Sequence, residues 1–106
     1  MTPLPPPRCL AVDVDHTLIR QGRPDLGVVT LIRERAADGW DVVVWSMRGR
    51  HYAQNAANVC GIAALVVCIG KPGVILDDQG LDWLRGAQVV RPTGRVSAPG
   101  RTPLWP

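Results

Sequence analysis

Six polar residues of this chain stand at or just after the ends of four apolar runs. They are, in chain order, Asp13 and Asp15, Ser46, Lys71, Asp77 and Asp78. Carboxylate oxygens are hard ligands that suit Mg²⁺, whereas a hydroxyl and an ammonium group suit the oxygens of a phosphate group. Because several acids without a cation would repel one another, the set predicts a site for Mg²⁺ together with a phosphate group.

The four apolar runs have the composition of buried strands, since they are short and rich in aliphatic and β-branched residues. They cover residues 9–14, 40–46, 63–70 and 73–78. Helical patterns separate the first three runs, and an alternation of strand and helix builds a parallel sheet whose faces are covered. We therefore predict an α/β fold, a Rossmann-like three-layer α/β/α sandwich with a small, mostly parallel sheet. The carboxyl ends of its strands would bring the six residues to one edge, where such sheets bind ligands.

Two helices are predicted between these strands. The first lies within residues 25–39, with Asp25 as its N-cap and Gly39 at its end. The second lies within residues 51–62, with Tyr52 on its apolar face and Gly61 in the stopping position.

The connection between the third and fourth runs is too short for this scheme. Only "GKPG", residues 70–73, separates them, whereas a crossover between parallel strands needs roughly a dozen residues. Either residues 64–69 form a short edge piece, for which an antiparallel direction is one option, or the two runs are not both full strands.

The length of 106 residues fits one domain. We predict an extended Pro-rich lead-in over residues 1–8, the folded domain over 9–90 and a Gly/Pro-rich tail over 91–106, with "AQVVRP" as one edge strand. Exposed tryptophan and leucine side chains are costly. Those of the tail would therefore pack either on the core or on a second subunit, which would make a homo-oligomer.

Charge and cysteine content indicate the surroundings of the protein. The net charge is +3 and almost all the positive charge is arginine, a mild preference for anionic partners that includes nucleic acid. Cys9, Cys60 and Cys68 lie in apolar runs without metal-ligand spacing, so we expect small buried side chains in a reducing compartment. The lead-in lacks the apolar core of a signal peptide and no run approaches the roughly 18 residues of a membrane span. We expect a soluble, cytoplasmic protein that does not contact the membrane.

Four motifs, in order, resemble those of the haloacid dehalogenase superfamily of aspartyl-phosphate phosphatases. "DVDHT" is similar to its first motif, DxDxT, and "VVVWS" to its second, a hydrophobic strand that ends in Ser or Thr. Lys71 in "GKP" resembles the third motif and "ILDD" the fourth. The resemblance spans residues 9–82, and the places where a cap domain is normally inserted hold one helix each. It therefore implies a small, capless catalytic domain.

The resemblance implies roles for the four acids. Asp13 would be the nucleophile that forms an aspartyl-phosphate, and its carboxylate would also bind Mg²⁺. Asp15 would be the general acid and then the general base, and its backbone carbonyl would bind the metal. Asp77 would complete the metal site, with Asp78 as a supporting or alternative ligand.

The resemblance also implies how the substrate is held. Ser46 and Lys71 would bind the phosphoryl oxygens, and Thr17 would orient the loop around Asp13. Apart from the resemblance, Arg48 follows the Ser46 strand, as Arg50 and His51 do, and either reaches the anionic portion of the substrate or is a solvated surface residue. His16 departs from the motif, because most members have glycine there; histidine is acceptable where the backbone does not need a positive φ.

The sequence thus predicts a Mg²⁺-dependent phosphatase that hydrolyses a phosphomonoester. Its substrate would be a small phosphorylated metabolite, a nucleotide or a nucleic-acid end. The alternative is a non-catalytic protein of the same fold that binds phosphate or regulates a partner. A response-regulator-like receiver would need a phosphoacceptor at the end of the third strand, but "CIGK" offers no acid.

Overall fold

A three-stranded parallel sheet with two α-helices forms the centre of the protein, as seen in a computed structural model that describes residues 8–82 and 87–91. The elements are, in chain order, β1 (Cys9–Asp13), β2 (Ile19–Arg20), β3 (Arg23–Pro24), α1 (Leu26–Ala37), β4 (Asp41–Ser46), α2 (Arg50–Val59), a short 3₁₀ helix (Ala63–Leu65) and β5 (Val67–Gly70). The predicted α/β class and the mostly parallel sheet are confirmed.

The sheet brings the carboxyl ends of its strands to one edge. Its strands lie in the order β1, β4, β5, and both neighbouring pairs are parallel. Asp13 is the last residue of β1 and pairs with Trp45, while Ser46 ends β4 and pairs with Gly70 of β5. Lys71 follows directly, so three of the predicted site positions are neighbours at this edge.

The helix α1 has the ends that its sequence predicts. Asp25 has extended backbone dihedrals, and its carboxylate accepts a hydrogen bond from the Val28 N–H at 3.1 Å. This bond satisfies one of the N–H groups that a helix start leaves without an intrahelical partner. Gly39 has a φ of 85° just past the helix end, a conformation that glycine adopts without steric cost.

The helix α2 lies between two glycines with positive φ, Gly49 at 100° and Gly61 at 70°. It packs on β4 and β5. Its fully or nearly buried residues are all alanines, which lets the helix backbone lie close to the sheet: Ala53, Ala56 and Ala57. The predicted second helix is therefore confirmed, beginning one residue earlier than the segment indicated.

The hydrophobic core lies on one face of the sheet. Side chains alternate along a strand, and alternate residues of β1 and β4 are buried there: Leu10, Val12, Val42 and Val44. Both helices contribute to the same cluster of buried residues. On the other face Ala11 is exposed, and Val43 and Trp45 are only partly buried. Residues 8–82 and 87–91 thus form two layers, and the third layer of the predicted sandwich is not found among them.

Residues 73–78 do not form the predicted fourth strand. Val74 is 90% exposed and Leu76 is fully exposed. The third run does form a short strand at the edge of the sheet, β5, as one alternative predicted, but β5 is parallel to β4, so the antiparallel direction is wrong. Residues 73–78 form no further parallel strand because the link after Gly70 is too short to return the chain. The two runs are therefore not both full strands, as the other alternative predicted.

Other expectations concern the rest of the chain. Residues 87–91 have no regular structure, so the described part of "AQVVRP" is not the predicted edge strand. Residues 1–7, most of the tail and its packing lie outside the described residues.

The sequence prediction also missed the hairpin of β2 and β3, whose two-residue turn, Gln21 and Gly22, has positive φ at both positions. That geometry is typical of the turns that match the twist of paired strands.

The three cysteines differ in burial. Cys60 is buried and Cys68 is partly buried, as expected, and burial raises the pKa of both thiols. The expectation of a buried Cys9 is wrong, because Cys9 lies on the face of β1 that the helices do not cover and is exposed. Within the described residues, no helix has the length and apolar character that crossing a membrane would require.

Candidate active site

The loop after β1 is held by the core on both sides of its polar residues. Val14 and Leu18 are 1% and 0% exposed, and the three residues between them face outward or are partly exposed. The Leu18 N–H donates to the Asp13 carbonyl at 3.1 Å, and the Thr17 and Ile19 N–H groups donate to the Val14 carbonyl. Two apolar anchors and these bonds fix the backbone that carries Asp13 and Asp15. The main chain of Thr17 thus helps to close the loop, and the predicted role of this residue in the site stays a prediction.

His16 has a φ of 62°, which is the left-handed region. The sequence prediction accepted a histidine here on the condition that no positive φ is needed, and this condition is not met. A side chain with a Cβ is disfavoured in that region, although histidine is found there more often than most residues. The His16 N–H donates to the Ile19 carbonyl at 2.9 Å, so the loop closure itself imposes the strained conformation.

Ser46 organises the turn between β4 and α2. It is 3% exposed, and its Oγ accepts a hydrogen bond from the Arg48 N–H at 3.0 Å. Its carbonyl accepts from the N–H groups of Gly49 and Lys71, at 3.1 and 3.0 Å. Ser46 is therefore a turn-forming residue as well as a candidate ligand. Because its Oγ accepts the turn bond, the hydroxyl proton is left to donate to an anion.

A close approach of two backbones sets the position of Lys71. A Cβ added to Gly70 would lie 3.5 Å from the Cα of Gly49, so the end of β5 passes close beside the start of α2. Lys71 then follows directly at the carboxyl edge of the sheet. Its Nζ lies 3.3 Å from Asp13 Oδ1, and both side chains keep about a third of their surface exposed, 31% and 38%. The structure therefore joins the predicted nucleophile to the predicted phosphate-binding lysine.

A second cation, Arg48, lies beside Asp15. Its Nε is 3.4 Å from Asp15 Oδ2, and the Arg48 side chain is 65% exposed. The two strand-end carboxylates are thus paired with two different basic side chains. The two cations reduce the electrostatic repulsion between the Asp13 and Asp15 carboxylates, and neither acid has to be buried.

Tyr52 is a site residue that sequence reasoning missed. Its hydroxyl donates a 2.6 Å hydrogen bond to Asp15 Oδ1, and the Arg48 guanidinium lies 4.9 Å from the centroid of its ring. The bond to Asp15, the partial burial of the ring and the negative charge of Asp15 raise the Tyr52 pKa, while Arg48 lowers it. The sequence prediction assigned Tyr52 only to an apolar helix face. Its place in the first turn of the helix that follows the Ser46 strand end is the signal that would have linked it to the site.

Asp77 and Asp78 lie apart from this arrangement. Asp77 Oδ1 accepts a hydrogen bond from the Gln79 N–H at 2.8 Å, and its carbonyl accepts from the Gly80 N–H, which makes it a turn residue. Both acids are exposed. Among residues 8–82 and 87–91, no group of three or more His, Cys, Asp or Glu side chains is placed to hold a metal ion. The four predicted metal ligands therefore do not form one cluster.

The Asp13 and Asp15 strand end still fits Mg²⁺ in part. Mg²⁺ commonly keeps several waters and is held through one or two carboxylates and the oxygens of a phosphate substrate. The Asp13 side chain is partly exposed, and the hydrogen bonds that close its loop use the carbonyls of Asp13, Val14 and Ile19. The Asp15 carbonyl, which the resemblance assigns to the metal, is not among them. The hydrogen bonds of the loop thus do not use these two expected donors, and their binding of Mg²⁺ stays a prediction.

No protein-family model matches this chain, and neither the curated proteins nor the solved structures that were searched provide a match. The resemblance to the haloacid dehalogenase superfamily therefore rests on the four sequence motifs alone.

Proposed function

We propose that this chain is a capless phosphatase of the haloacid dehalogenase type that hydrolyses a phosphomonoester with Mg²⁺. The observation that carries the proposal is the pairing of Asp13 with Lys71 and of Asp15 with Arg48, beside the buried Ser46, at the carboxyl edge of the sheet. The two acids have different partners, so the proposal can assign them the different roles of nucleophile and proton carrier.

In the first step of the proposed reaction, an Asp13 carboxylate oxygen attacks the phosphorus atom. The bond from phosphorus to the leaving oxygen breaks, and that oxygen takes a proton from Asp15. In the second step water attacks the phosphorus of the aspartyl-phosphate, and Asp15 takes the proton of the water. Inorganic phosphate leaves and the Asp13 carboxylate is restored, so atoms and charges balance over the cycle.

Lys71 and Ser46 would stabilise the phosphoryl group during both steps. Lys71 Nζ lies within 3.3 Å of the attacking carboxylate, so it is within reach of a phosphoryl group attached there. Phosphoryl transfer depends mainly on positioning and on neutralising the charge of the equatorial oxygens. The Asp13 carboxylate and the Asp15 carbonyl would hold Mg²⁺ together with water and the phosphate oxygens, and the bound ion would supply charge neutralisation.

The test is phosphate release from 4-nitrophenyl phosphate with and without Mg²⁺. We expect activity that needs Mg²⁺ and is abolished in Asp13→Asn, because the amide cannot act as the nucleophile. Asp41→Asn is the matched control, since Asp41 is an exposed acid at the opposite end of β4. Full activity in Asp13→Asn, or equal loss in both variants, contradicts the proposal.

A phosphate-binding protein without turnover is the second candidate. It is favoured by the positions of Asp77 and Asp78, which do not join the other acids. Calorimetric titration with inorganic phosphate and Mg²⁺, together with a panel of sugar phosphates, nucleotides and 3′- or 5′-phosphorylated oligonucleotides, separates the two candidates. Binding without hydrolysis of any substrate favours the second, whereas turnover of one substrate excludes it.

A further inference from the structure

Tyr52 lies where it can control the orientation of Asp15. It is in the first turn of α2, and its ring is partly buried against the core, so its hydroxyl has a fixed position. Asp15 lies at the strand end on the loop after β1. The 2.6 Å bond between them therefore connects two elements that the core already holds in place.

The two oxygens of the Asp15 carboxylate have different partners. Oδ1 accepts the short bond from Tyr52, whereas Oδ2 has only a 3.4 Å contact with the exposed side chain of Arg48. A short hydrogen bond to an ionised group is among the stronger kinds, and a 3.4 Å ion pair at an exposed side chain is weak. One oxygen is thus fixed and the other is available for exchange.

We infer that Tyr52 is the positioning residue for Asp15: its hydroxyl holds Oδ1 throughout the reaction, so that Oδ2 is the oxygen that carries the transferred proton. The inference rests on the proposed phosphatase function. Once Arg48 has left, Oδ2 takes up a proton from water or from the phosphate group of the substrate, and in the first step this proton moves to the leaving oxygen as the phosphorus–oxygen bond breaks. In the second step a proton moves from water to Oδ2, and Tyr52 keeps its own proton in both.

The weak contact between Arg48 and Asp15 Oδ2 also implies that Arg48 moves when a substrate binds. Arg48 has no acceptor and can only donate, so it neither takes nor returns the proton of Oδ2. When a substrate oxygen occupies the place beside Oδ2, Arg48 leaves Asp15 and binds the phosphate or the anionic remainder of the substrate. Its 65% exposure leaves room for this exchange.

The direction of the Tyr52 pKa shift agrees with a hydroxyl group that keeps its proton and donates to Asp15. The hydrogen bond to Asp15 is the largest cause that raises the Tyr52 pKa above its ordinary value. The charged groups that face the phenol are Asp15 and Arg48. The donor role itself rests on the 2.6 Å hydrogen bond from the Tyr52 hydroxyl to Asp15 Oδ1.

The first test does not need enzyme activity. Tyr52 is the single tyrosine of the chain, so phenolate absorbance in the ultraviolet reports on it alone. We expect the phenol to ionise at a lower pH in Asp15→Asn than in the wild type, because the negative acceptor is removed. Asp13→Asn is the matched control and should leave the titration unchanged. An unchanged midpoint in Asp15→Asn overturns the inference.

The second test reads proton transfer. Tyr52→Phe keeps the ring and its packing, and we expect kcat to fall about tenfold or more, with KM little changed, for an alkyl phosphate. The loss should be much smaller for 4-nitrophenyl phosphate, whose leaving group needs little protonation. In an Asp15→Asn background, Tyr52→Phe should cause no further loss.

The outcomes of the second test separate this inference from the proposed function. Equal losses for the two leaving groups, or a further loss in the Asp15→Asn background, overturn the role of Tyr52 while the phosphatase proposal stands. A wild-type chain without phosphatase activity on either substrate contradicts the proposed function and this role with it.

Discussion

Asp13 and Asp15 can lie close together at the end of β1 because a different basic side chain contacts each carboxylate. Lys71 contacts Asp13, and Arg48 contacts Asp15. Ion pairs between partly exposed side chains contribute about 1 kcal/mol or less each, so Lys71 and Arg48 reduce the repulsion without fixing the acids permanently. Substrate oxygens can therefore take the place of an acid beside either cation. Tyr52 differs from both, since its neutral donor keeps its position when the charges of the site change.

At His16 the residue scale allows a prediction of stability. Replacing His16, whose φ is 62°, by glycine removes the Cβ that is disfavoured in the left-handed region, while the unfolded chain gains freedom. We expect a net rise of about 0.5–1 kcal/mol in the free energy of unfolding, measured with urea. His16→Ala keeps a Cβ and serves as the control. A glycine variant that is less stable than the alanine variant contradicts this expectation.

Individual residues also show which properties of the site can be predicted from the sequence and which cannot. The residue types and strand-end positions of Asp13, Ser46 and Lys71 are visible in the sequence, because apolar runs mark the strands and their ends. The strain at His16 depends on hydrogen bonds that close a loop, and no composition rule gives them. Tyr52 is an aromatic residue on an apolar helix face and also a donor to Asp15, and only the packing of α2 shows the second property.

Among the elements, α1 has ends that local chemistry determines. Removing the capping carboxylate in Asp25→Ala should lower the free energy of unfolding by about 1 kcal/mol, because the Val28 N–H loses its acceptor. Asp25→Asn keeps an acceptor and removes the 3.5 Å ion pair with Arg20, so it should stay close to the wild type.

A second control for this helix is Asp38→Ala. Asp38 is an exposed acid at the C-terminal end of α1, where a negative charge faces the negative end of the helix dipole. Its loss should not destabilise the protein. Equal losses in Asp25→Ala and Asp38→Ala, measured by urea unfolding, would show that capping is not the cause.

The elements that the sequence predicts correctly are those with local signals at both ends. Gly39 and Gly61 mark the ends of the two helices. Gly39 also precedes β4, and the turn that follows Ser46 marks the end of that strand. Residues 74–76 have the same apolar composition as the strands, yet they do not pair within the described structure. Pairing of a strand depends on which sheet edge the chain can reach, and the link after β5 is too short to reach a new one in the required direction.

Across the whole molecule, the helices cover one face of the sheet, and this determines the reactivity of the thiols. Brief alkylation of the folded protein should modify Cys9 first, since it is exposed on the other face. Cys60 and Cys68 have raised pKa values because of burial, so less of their reactive thiolate is present near neutral pH. Mass spectrometry of the digested protein identifies the site. Alkylation in urea is the control and should modify all three cysteines, and rapid modification of Cys60 in the folded protein contradicts the structure.

The strand order β1, β4, β5 is also the order of these strands along the chain. Each new strand therefore adds to the open side of the previous one, and none has to insert between two strands that are already paired. Each pairing still spans an intervening helix, as Cys9 with Asp41 and Val43 with Val67 show, and such non-local parallel pairing is slow to form. During synthesis from the N-terminus, β1 and its two acids can take their places before β5 leaves the ribosome. Lys71 is synthesised after these elements, and its ammonium group then pairs with Asp13 at an edge that is already formed.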